Sequence, residues 1–215
     1  MLPGTLARDV TPIWDVFNDG NTTSVLQLTN ANPTVFYSPD EVANARISFE
    51  VLAQASTDTD SFGFAIGFEP GDSGNGQAEY VIVDWRQARD PAQVVALFDP
   101  EIRFTGGDPG LRASRVFGVP TNFEFIEQDS FDGAPYTPGN GLEVLASAVT
   151  LGTAGWENER AYAFTVELGT DRLAVYVDGV LEIEIFGSFD PAPFAFYNSS
   201  QAGVLFRNLV IESLD

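Results

Sequence analysis

The chain has 215 residues, of which 44 % are hydrophobic, 13 % aromatic and 19 % charged. It can therefore bury a sizeable core and is not a disordered chain. Its 31 acidic residues outnumber 10 basic ones, for a formal charge of −21. That charge repels phosphate backbones, so neither nucleic acid nor anionic lipid is an expected partner.

The chain contains neither histidine nor cysteine. Their absence removes Ser-His and Cys-His catalytic pairs, the usual nitrogen and sulfur ligands of zinc, and every disulfide. Carboxylates, tyrosines and hydroxyls remain as catalytic groups. No run approaches the roughly 20 apolar residues of a membrane span. Residues 1–9 lack the basic and apolar regions of a secretory signal.

Short runs of β-branched and aromatic residues, separated by Gly and Pro, predict an all-β sandwich. Alternation is plain in residues 45–52, where Ile47, Phe49 and Val51 share one face. The remaining predicted strands are, in chain order, 62–68, 80–85, 161–168, 173–177, 180–186 and 205–211. Between 177 and 180, Asp178-Gly179 predicts a type I′ hairpin turn.

The least strand-like stretch covers about residues 86–141 of a single domain that spans 1–215. Residues 85–98 allow one short helix, although Pro91 interrupts it. So long a loop region in a compact domain is usually functional or mobile, and we expect a binding surface there. The polar loop 72–77 is expected to be a mobile hairpin tip, with a second ligand-binding rim as the alternative.

Aromatic side chains in or beside this loop region are the candidate ligand-binding residues. Sugar rings present apolar C–H faces that stack on flat side chains, while loop amides fix their hydroxyls. The candidates are Trp85, Phe104, Phe123, Phe125 and Tyr136, together with the loop amide of Asn140. Two further tryptophans, Trp14 and Trp156, are expected to fill the core.

Particular residues along nearly the whole chain resemble the C-terminal domain of thrombospondins. The matching motifs are Pro12-Ile-Trp14-Asp-Val16-Phe-Asn18-Asp-Gly20 followed by Gln27, Asn30, Pro33 and Tyr37; the acidic turn and Gly-Phe strand 57–68; Tyr80-Val-Ile-Val-Asp-Trp85-Arg-Gln87; Gly155-Trp156 with Tyr162; and Phe194-Ala-Phe196-Tyr-Asn198-Ser-Ser-Gln201 with Phe206-Arg-Asn208-Leu209. The resemblance implies a jelly-roll β-sandwich of the concanavalin-like (L-type lectin) superfamily, an extracellular or cell-surface adhesion module, and bound calcium. The chain departs from the family in its longer loop 71–77, its missing cysteines and an inserted stretch at 128–140.

Asp58 and Asp60 are the strongest candidates for metal ligands. Calcium takes six to eight oxygen ligands, and alternate carboxylates on a turn supply several of them. The other interpretation is a solvated acidic turn. The spacing is not that of an EF-hand, because the next alternate residues are phenylalanines. Further ligands have to come from other loops, and Asp108, Asp190 and Asn198 are chosen by chemistry alone.

The strand containing Glu182 and Glu184 weakly resembles the Glu-x-Asp-x-x-Glu strand of concanavalin-like glycoside hydrolases. Retaining hydrolysis needs two carboxyl groups about 5 to 5.5 Å apart. Here the aspartate is replaced by Glu184 and the third acid by Gly187. We therefore predict that both glutamates lie on the solvent face of a hairpin strand. The opposite, core-facing side is expected to be Leu181, Ile183 and Ile185.

The sequence thus predicts a non-catalytic adhesion or carbohydrate-recognition module that depends on calcium and belongs to a larger secreted or cell-surface protein. Its ligand would be a glycan or an extracellular protein. One alternative is a glycoside hydrolase or lyase on the same scaffold. Another is a structural spacer or protein-docking domain, which predicts an exposed apolar patch.

Overall fold

The computed structural model describes residues 11–20, 22–31, 33–88, 108–119 and 141–214, which contain thirteen β-strands. The strands are β1 Trp14–Asp19, β2 Thr22–Gln27, β3 Thr34–Val42, β4 Ala45–Ala53, β5 Ser61–Ile66, β6 Glu79–Arg86, β7 Gly110–Phe117, β8 Gly141–Ser147, β9 Ala161–Leu168, β10 Arg172–Val177, β11 Val180–Phe186, β12 Ala192–Ser199 and β13 Val204–Ser213. A 3₁₀ turn, Asp72–Gly74, lies between β5 and β6. No helix among the described residues is long and apolar enough to cross a membrane.

The strands form two antiparallel sheets that pack face to face. The seven-stranded sheet has the order β1-β2-β13-β4-β9-β10-β11, and the six-stranded sheet has the order β3-β12-β5-β6-β7-β8. Strands distant in sequence lie side by side, as β4 does with β9 and β13, which is the connectivity of a jelly roll rather than of a meander. The predicted all-β jelly-roll sandwich is confirmed.

The core between the sheets is built largely from phenylalanine. In β4 the alternate residues predicted to face inward are buried, and Phe49 is 3 % exposed. Its ring stacks on Phe164 of the same sheet at 5.2 Å and meets Phe64 of the opposite sheet edge-on at 5.8 Å. Phe196 and Phe206 stack across the two sheets at 4.3 Å. Burying each such ring contributes about 1.5 to 3 kcal/mol, so this layer holds the sheets together.

The hairpin at Asp178-Gly179 is confirmed as a type I′ turn. Asp178 has φ of 50° and Gly179 has φ of 80°, and both central residues of a type I′ turn require positive φ. The turn fixes the register of β10 and β11, pairing Val177 with Val180.

The prediction of an unbroken loop-rich region over 86–141 is wrong at its centre. There β7 joins the six-stranded sheet between β6 and β8. Leu111 and Ala113 face the core, and Arg112 and Ser114 lie on the opposite face at 6 % and 0 % exposure. The alternation of apolar and polar residues ends after Ser114, because the apolar Val116 lies on the outer face. Of the predicted short helix over 85–98, residues 85 and 86 belong to β6 and residues 87 and 88 are not helical, whereas 89–98 lie outside the described residues.

The predicted solvent-facing position of Glu182 is wrong. The pairing of β10 with β11 shifts by one residue, so that Val175 opposes Ile183 while Tyr176 opposes Leu181. Glu182 is therefore the extra residue of a β-bulge, a device that re-aims a side chain. Its side chain is 2 % exposed, whereas Leu181, predicted for the core, is 37 % exposed.

The buried Glu182 carboxylate holds the turn that follows β8. It accepts hydrogen bonds from the N–H groups of Thr150, at 2.8 Å, and Leu151, at 3.2 Å, and from the Thr150 hydroxyl. Glu184 does lie on the outer face, as predicted, where Arg172 Nε donates to it at 2.7 Å. The two carboxylates thus leave the strand in different directions and do not face one cleft.

A row of alternating charges crosses the outer face of the seven-stranded sheet. Arg46 lies 2.8 Å from Glu167, Arg172 lies 3.3 Å from Glu167, and Arg172 also contacts Glu184. The hydrogen bond from Arg46 is the main cause that lowers the pKa of Glu167; desolvation opposes it, and hydrogen bonds from Arg172 and Tyr176 add to it.

The lowered pKa of Glu167 predicts a pH dependence of stability. A carboxylate whose pKa is lower in the folded state stabilises the fold above its unfolded pKa of about 4.3, and that stabilisation is lost as pH falls through the folded value. Replacing Glu167 by Gln is therefore expected to lower the melting temperature at pH 7 and to reduce its fall between about pH 5 and pH 3. Thermal melts across that range, with the exposed Glu41→Gln as control, check this. If the melting temperatures of Glu167→Gln and Glu41→Gln fell by the same amount between about pH 5 and pH 3, the prediction would be contradicted.

Candidate functional site

The outer face of the six-stranded sheet, the face directed away from the core, carries a cavity of about 570 Å³. Ligand sites of small molecules commonly enclose about 300 to 1,000 Å³. The cavity is lined by Pro33, Thr34, Val35, Tyr37, Phe68, Gly71, Asp72, Ser73, Tyr80, Ile82, Gly118, Val119 and Tyr197. Three of the five sequence-distant segments that meet here contribute a tyrosine.

On this face β5, the strand between β12 and β6, carries only small side chains. Along β5 and the residue after it, large side chains point to the core, while the outer positions are Ser61, Gly63, Ala65 and Gly67. Since β5 contributes only small groups, the side chains of the flanking strands β12 and β6 form the walls. Gly63 is also required by close approach: a Cβ there would lie 1.9 Å from the backbone oxygen of Val83.

Aromatic rings form one side of the cavity. Tyr37 is 44 % exposed, and its ring centroid lies 6.2 Å from that of Phe68. Phe68 in turn packs edge-on against Tyr80 at 5.2 Å. Burial, reinforced by the Asp72 carboxylate, raises the pKa of Tyr80 to about 12. Its hydroxyl is protonated at neutral pH, as that of an unperturbed tyrosine also is, and can donate a hydrogen bond.

The loop between β5 and β6 borders the cavity through Gly71, Asp72 and Ser73. Asp72 is 8 % exposed, and its carboxylate accepts hydrogen bonds from the Glu69 N–H at 2.9 Å and the Asn75 side-chain amide at 3.0 Å. Asp72 thus ties the backbone of loop 72–77 together beside the cavity, and its role as a ligand-binding rim stays a prediction.

Charged side chains continue along the same outer face next to the cavity. Asp84, Arg86 and Arg112 are each no more than 6 % exposed. Asp84 pairs with Arg112 in the register of β6 and β7, and Arg86 Nη1 lies 3.9 Å from the Asp60 carboxylate. The charges of the Asp60 and Asp84 carboxylates equal those of the Arg86 and Arg112 guanidinium groups, so this group of four side chains has no net charge.

Trp85, predicted to line a binding surface, is part of the core. It is 1 % exposed, its ring lies 4.6 Å from Tyr162, and its indole N–H donates to the Ala154 carbonyl at 2.7 Å. Trp85 occupies an inward-facing position of β6, since Val83 and Val81 precede it on that face. The other candidates, Phe104, Phe123, Phe125, Tyr136 and Asn140, lie outside the described residues.

The core position predicted for Trp156 is confirmed, at 2 % exposure, and its indole N–H donates to the Asp60 carbonyl at 3.2 Å. Trp14 is partly buried and packs against Phe36 and Phe206.

The predicted calcium ligands Asp58 and Asp60 already have protein partners. Asp58 accepts hydrogen bonds from the Asn30 side-chain amide and, at 3.2 Å, from the Thr59 N–H. Asp60 is 8 % exposed and faces Arg86. Within the described ranges, no three carboxylates are grouped so that they could hold a metal ion.

The other three predicted ligands do not gather around one point. Asp190 precedes β12 and lies beside Val42 and Ile66, whereas Asn198 is near the end of β12. Eight residues of extended strand separate them by about 26 Å, so they cannot share an ion. Asp108 precedes β7, which is two strands and therefore about 10 Å away from β5 and Asp60.

Asn198 fits a cation better than the carboxylates do. It is 0 % exposed, and its side-chain oxygen has no hydrogen-bond donor. Gln27 and Gln201, both also 0 % exposed, share this property. Buried amide oxygens without protein donors suit a buried water or a hard cation.

Sequence reasoning missed the cavity and its tyrosines, Tyr37, Tyr80 and Tyr197. The signal was present in residues 61–67, Ser-Phe-Gly-Phe-Ala-Ile-Gly, where every second residue is small. A strand that is large on one face and minimal on the other leaves space on its small side. That space is where a sheet can accept a ligand.

No model of a known protein family matches the chain, and no curated protein matches it. Among solved structures, the chain is similar to the carbohydrate-binding module CBM66 from Bacillus subtilis, with 11 % identity, a TM-score of 0.52, and coverage of 94 % of this chain and 92 % of that one. A glycosyl hydrolase candidate from Parabacteroides distasonis has 9 % identity, a TM-score of 0.48, and coverage of 94 % and 90 %. Galectin LEC-6 of Caenorhabditis elegans has 9 % identity, a TM-score of 0.44, and coverage of 85 % and 94 %. The first of these likenesses shows that the chain has the jelly-roll sandwich fold.

Proposed function

We propose that this protein is a non-catalytic carbohydrate-recognition module whose ligand lies in the cavity on the outer face of the six-stranded sheet. The observation that carries the proposal is the exposed ring of Tyr37 on the wall of a cavity of about 570 Å³. A half-exposed aromatic ring offers an apolar face to the C–H groups of a sugar. The Tyr80 hydroxyl, kept protonated, and the backbone groups of the loop at Ser73 offer hydrogen bonds to sugar hydroxyls.

The ligand class follows from the charges around the cavity. Asp72 is the one ionisable carboxyl group among the described lining residues, and no arginine lines it. The chain also carries a net charge of −21. Uronates and sulfated sugars would meet repulsion without a compensating cation. We therefore propose uncharged glycans as ligands.

Two similarities, one of fold and one of sequence motifs, support the proposed role of the module. The fold is shared with the carbohydrate-binding module from Bacillus subtilis. The motifs that resemble the thrombospondin C-terminal domain favour an extracellular adhesion role, with calcium, in a larger secreted or cell-surface protein. The buried position of Glu182 and the outward direction of Glu184 support a role in binding rather than in hydrolysis.

Tyr37→Ala is expected to weaken glycan binding about tenfold or more, since a loss of about 1.4 kcal/mol of stacking corresponds to one decade of affinity. The measurement is a screen of immobilised neutral and acidic glycans, followed by titration calorimetry with any glycan that binds. Phe186→Ala is the matched control, because Phe186 is an aromatic residue 72 % exposed on the other sheet.

Equal loss in the two variants would contradict a site at Tyr37. Release of shorter sugars from a bound glycan would instead establish the hydrolase or lyase alternative. If no glycan binds, the docking alternative gains support from the neighbouring apolar residues Ile13 and Leu28 at the β1 edge of the seven-stranded sheet, which are 50 % and 46 % exposed.

A further inference from the structure

The cavity on the outer face of the six-stranded sheet contains a carboxylate that no arginine accompanies within the described ranges. Asp72 lines the cavity and is 8 % exposed. Its two partners, the Glu69 N–H at 2.9 Å and the Asn75 side-chain amide at 3.0 Å, are neutral donors. They bind the oxygens of the carboxylate without cancelling its charge. A largely buried charge without a counter-charge is costly, and it attracts a cation.

Aromatic rings line the same cavity as this carboxylate. The ring planes of Tyr37 and Phe68 are tilted by 39° at a centroid distance of 6.2 Å, and those of Phe68 and Tyr80 are nearly perpendicular at 5.2 Å. Burial is the main cause that raises the pKa of Tyr80 to about 12, and the negative charge of Asp72 adds to it. Because the rings are not parallel, their surfaces face in different directions, and the face of each ring is electrically negative.

We propose that this cavity binds a trimethylammonium group, such as that of choline, through the face of Tyr37 and the charge of Asp72. A quaternary ammonium ion spreads its charge over apolar methyl groups, and aromatic faces attract it within about 6 Å of the ring centroid. A single carboxylate that already accepts two N–H donors is a poor ligand set for a hard inorganic cation, which takes several oxygens. The proposal goes beyond glycan recognition and does not depend on it, because it rests on the charge of the cavity.

The trimethylammonium group is carried by a free small molecule and not by a lipid headgroup. The cavity of about 570 Å³ has the size of a small-molecule site. In phosphatidylcholine a phosphate lies next to the ammonium group, and the net charge of −21 repels it. Vesicles of phosphatidylcholine are therefore expected to leave the protein in the supernatant when they are sedimented. Co-sedimentation would assign the group to a lipid headgroup and overturn the proposal of a free ligand.

The first test changes the charge of the ligand and leaves the protein unaltered. Neohexyl alcohol has the shape of choline, with a carbon atom in place of the charged nitrogen. Each compound is titrated calorimetrically into the purified protein in about 150 mM sodium chloride, where exposed charges more than about 8 Å apart are screened. We expect one choline per chain, bound about tenfold or more tightly than the alcohol. Equal affinities, or choline binding that does not saturate, would overturn the proposal. No glycan is present, so failure here is distinct from failure of the glycan function.

The second test changes the two groups of the site. Tyr37→Leu keeps an apolar side chain without the aromatic face, and it is expected to weaken choline binding about fivefold while the affinity for neohexyl alcohol stays the same. Asp72→Asn removes the charge and is expected to weaken choline binding about tenfold. Glu69→Gln is the matched control, because it removes an exposed charge from the same loop outside the cavity lining. An equal loss in Glu69→Gln and Asp72→Asn, or full choline affinity in Tyr37→Leu, would show that the overall charge attracts choline and that the proposed site is wrong.

Discussion

Gly63→Ala is expected to lower the melting temperature by about 6 to 20 °C, because a destabilisation of about 3 to 5 kcal/mol shifts a domain of this size by about 2 to 4 °C per kcal/mol. The added Cβ would lie 1.9 Å from the oxygen of Val83 and 2.9 Å from the Cα of Asp84. Both atoms belong to the backbone of β6, so no side chain can turn aside. Relief requires β5 and β6 to separate, which costs hydrogen bonds in the middle of the sheet.

The control for this prediction is Gly76→Ala. Gly76 lies in the exposed loop between β5 and β6, and a Cβ there meets no atom within 4 Å. Its melting temperature is expected to stay within about 2 °C of the unchanged protein, because surface substitutions away from special features change stability by about 0.5 kcal/mol at most. Thermal melts followed by circular dichroism compare the two variants. A Gly63→Ala protein as stable as the control would mean that β5 and β6 are further apart than described.

Glu182→Ala is expected to destabilise the fold by about 2 to 4 kcal/mol. The substitution removes the acceptor of the Thr150 and Leu151 N–H groups and of the Thr150 hydroxyl. It also empties the position of a side chain that is 2 % exposed. The turn after β8 would lose its attachment to β11, and urea unfolding would show the reduced free energy of unfolding.

Glu184→Ala is the matched control, two residues away on the same strand. Its carboxylate is exposed and contacts Arg172, and an exposed ion pair contributes about 0 to 1 kcal/mol. A large difference between the variants would confirm a structural role of Glu182. If Glu182 and Glu184 were instead the catalytic carboxylates of a hydrolase, both substitutions would abolish turnover. The free energy of unfolding would then change by the same amount in the two variants.

The sequence predicted those elements whose burial follows one simple period. Residues 45–52 alternate strictly because β4 has a core face and a partly exposed face, and the Asp178-Gly179 turn is encoded by two adjacent residues. Neighbouring residues are enough to specify elements of this kind. The sandwich class and most strands therefore required no knowledge of distant contacts.

The site was less accessible to sequence reasoning, because it depends on which distant strands become neighbours. In β6 both faces are buried, so the run that ends at Trp85 gives no sign of which residues point to the core. The bulge that buries Glu182 arises from a shift against β10 and leaves no mark in β11 alone. Asp190 and Asn198 are candidate ligands by chemistry alone. Their separation along β12 follows from the strand topology, which residue chemistry does not reveal.

The burial of β5 has a consequence for motion. All six of its residues are buried, and it is hydrogen-bonded on one side to β12 and on the other to β6. Amide protons of such a strand exchange with solvent only when the whole domain opens, whereas an edge strand such as β1 frays independently. The strand between the cavity-lining strands β12 and β6 is thus expected to exchange slowly. Ligand binding therefore costs little free energy for ordering these strands. Differences in affinity between ligands are expected to arise from contacts with the loop between β5 and β6 rather than with the sheet.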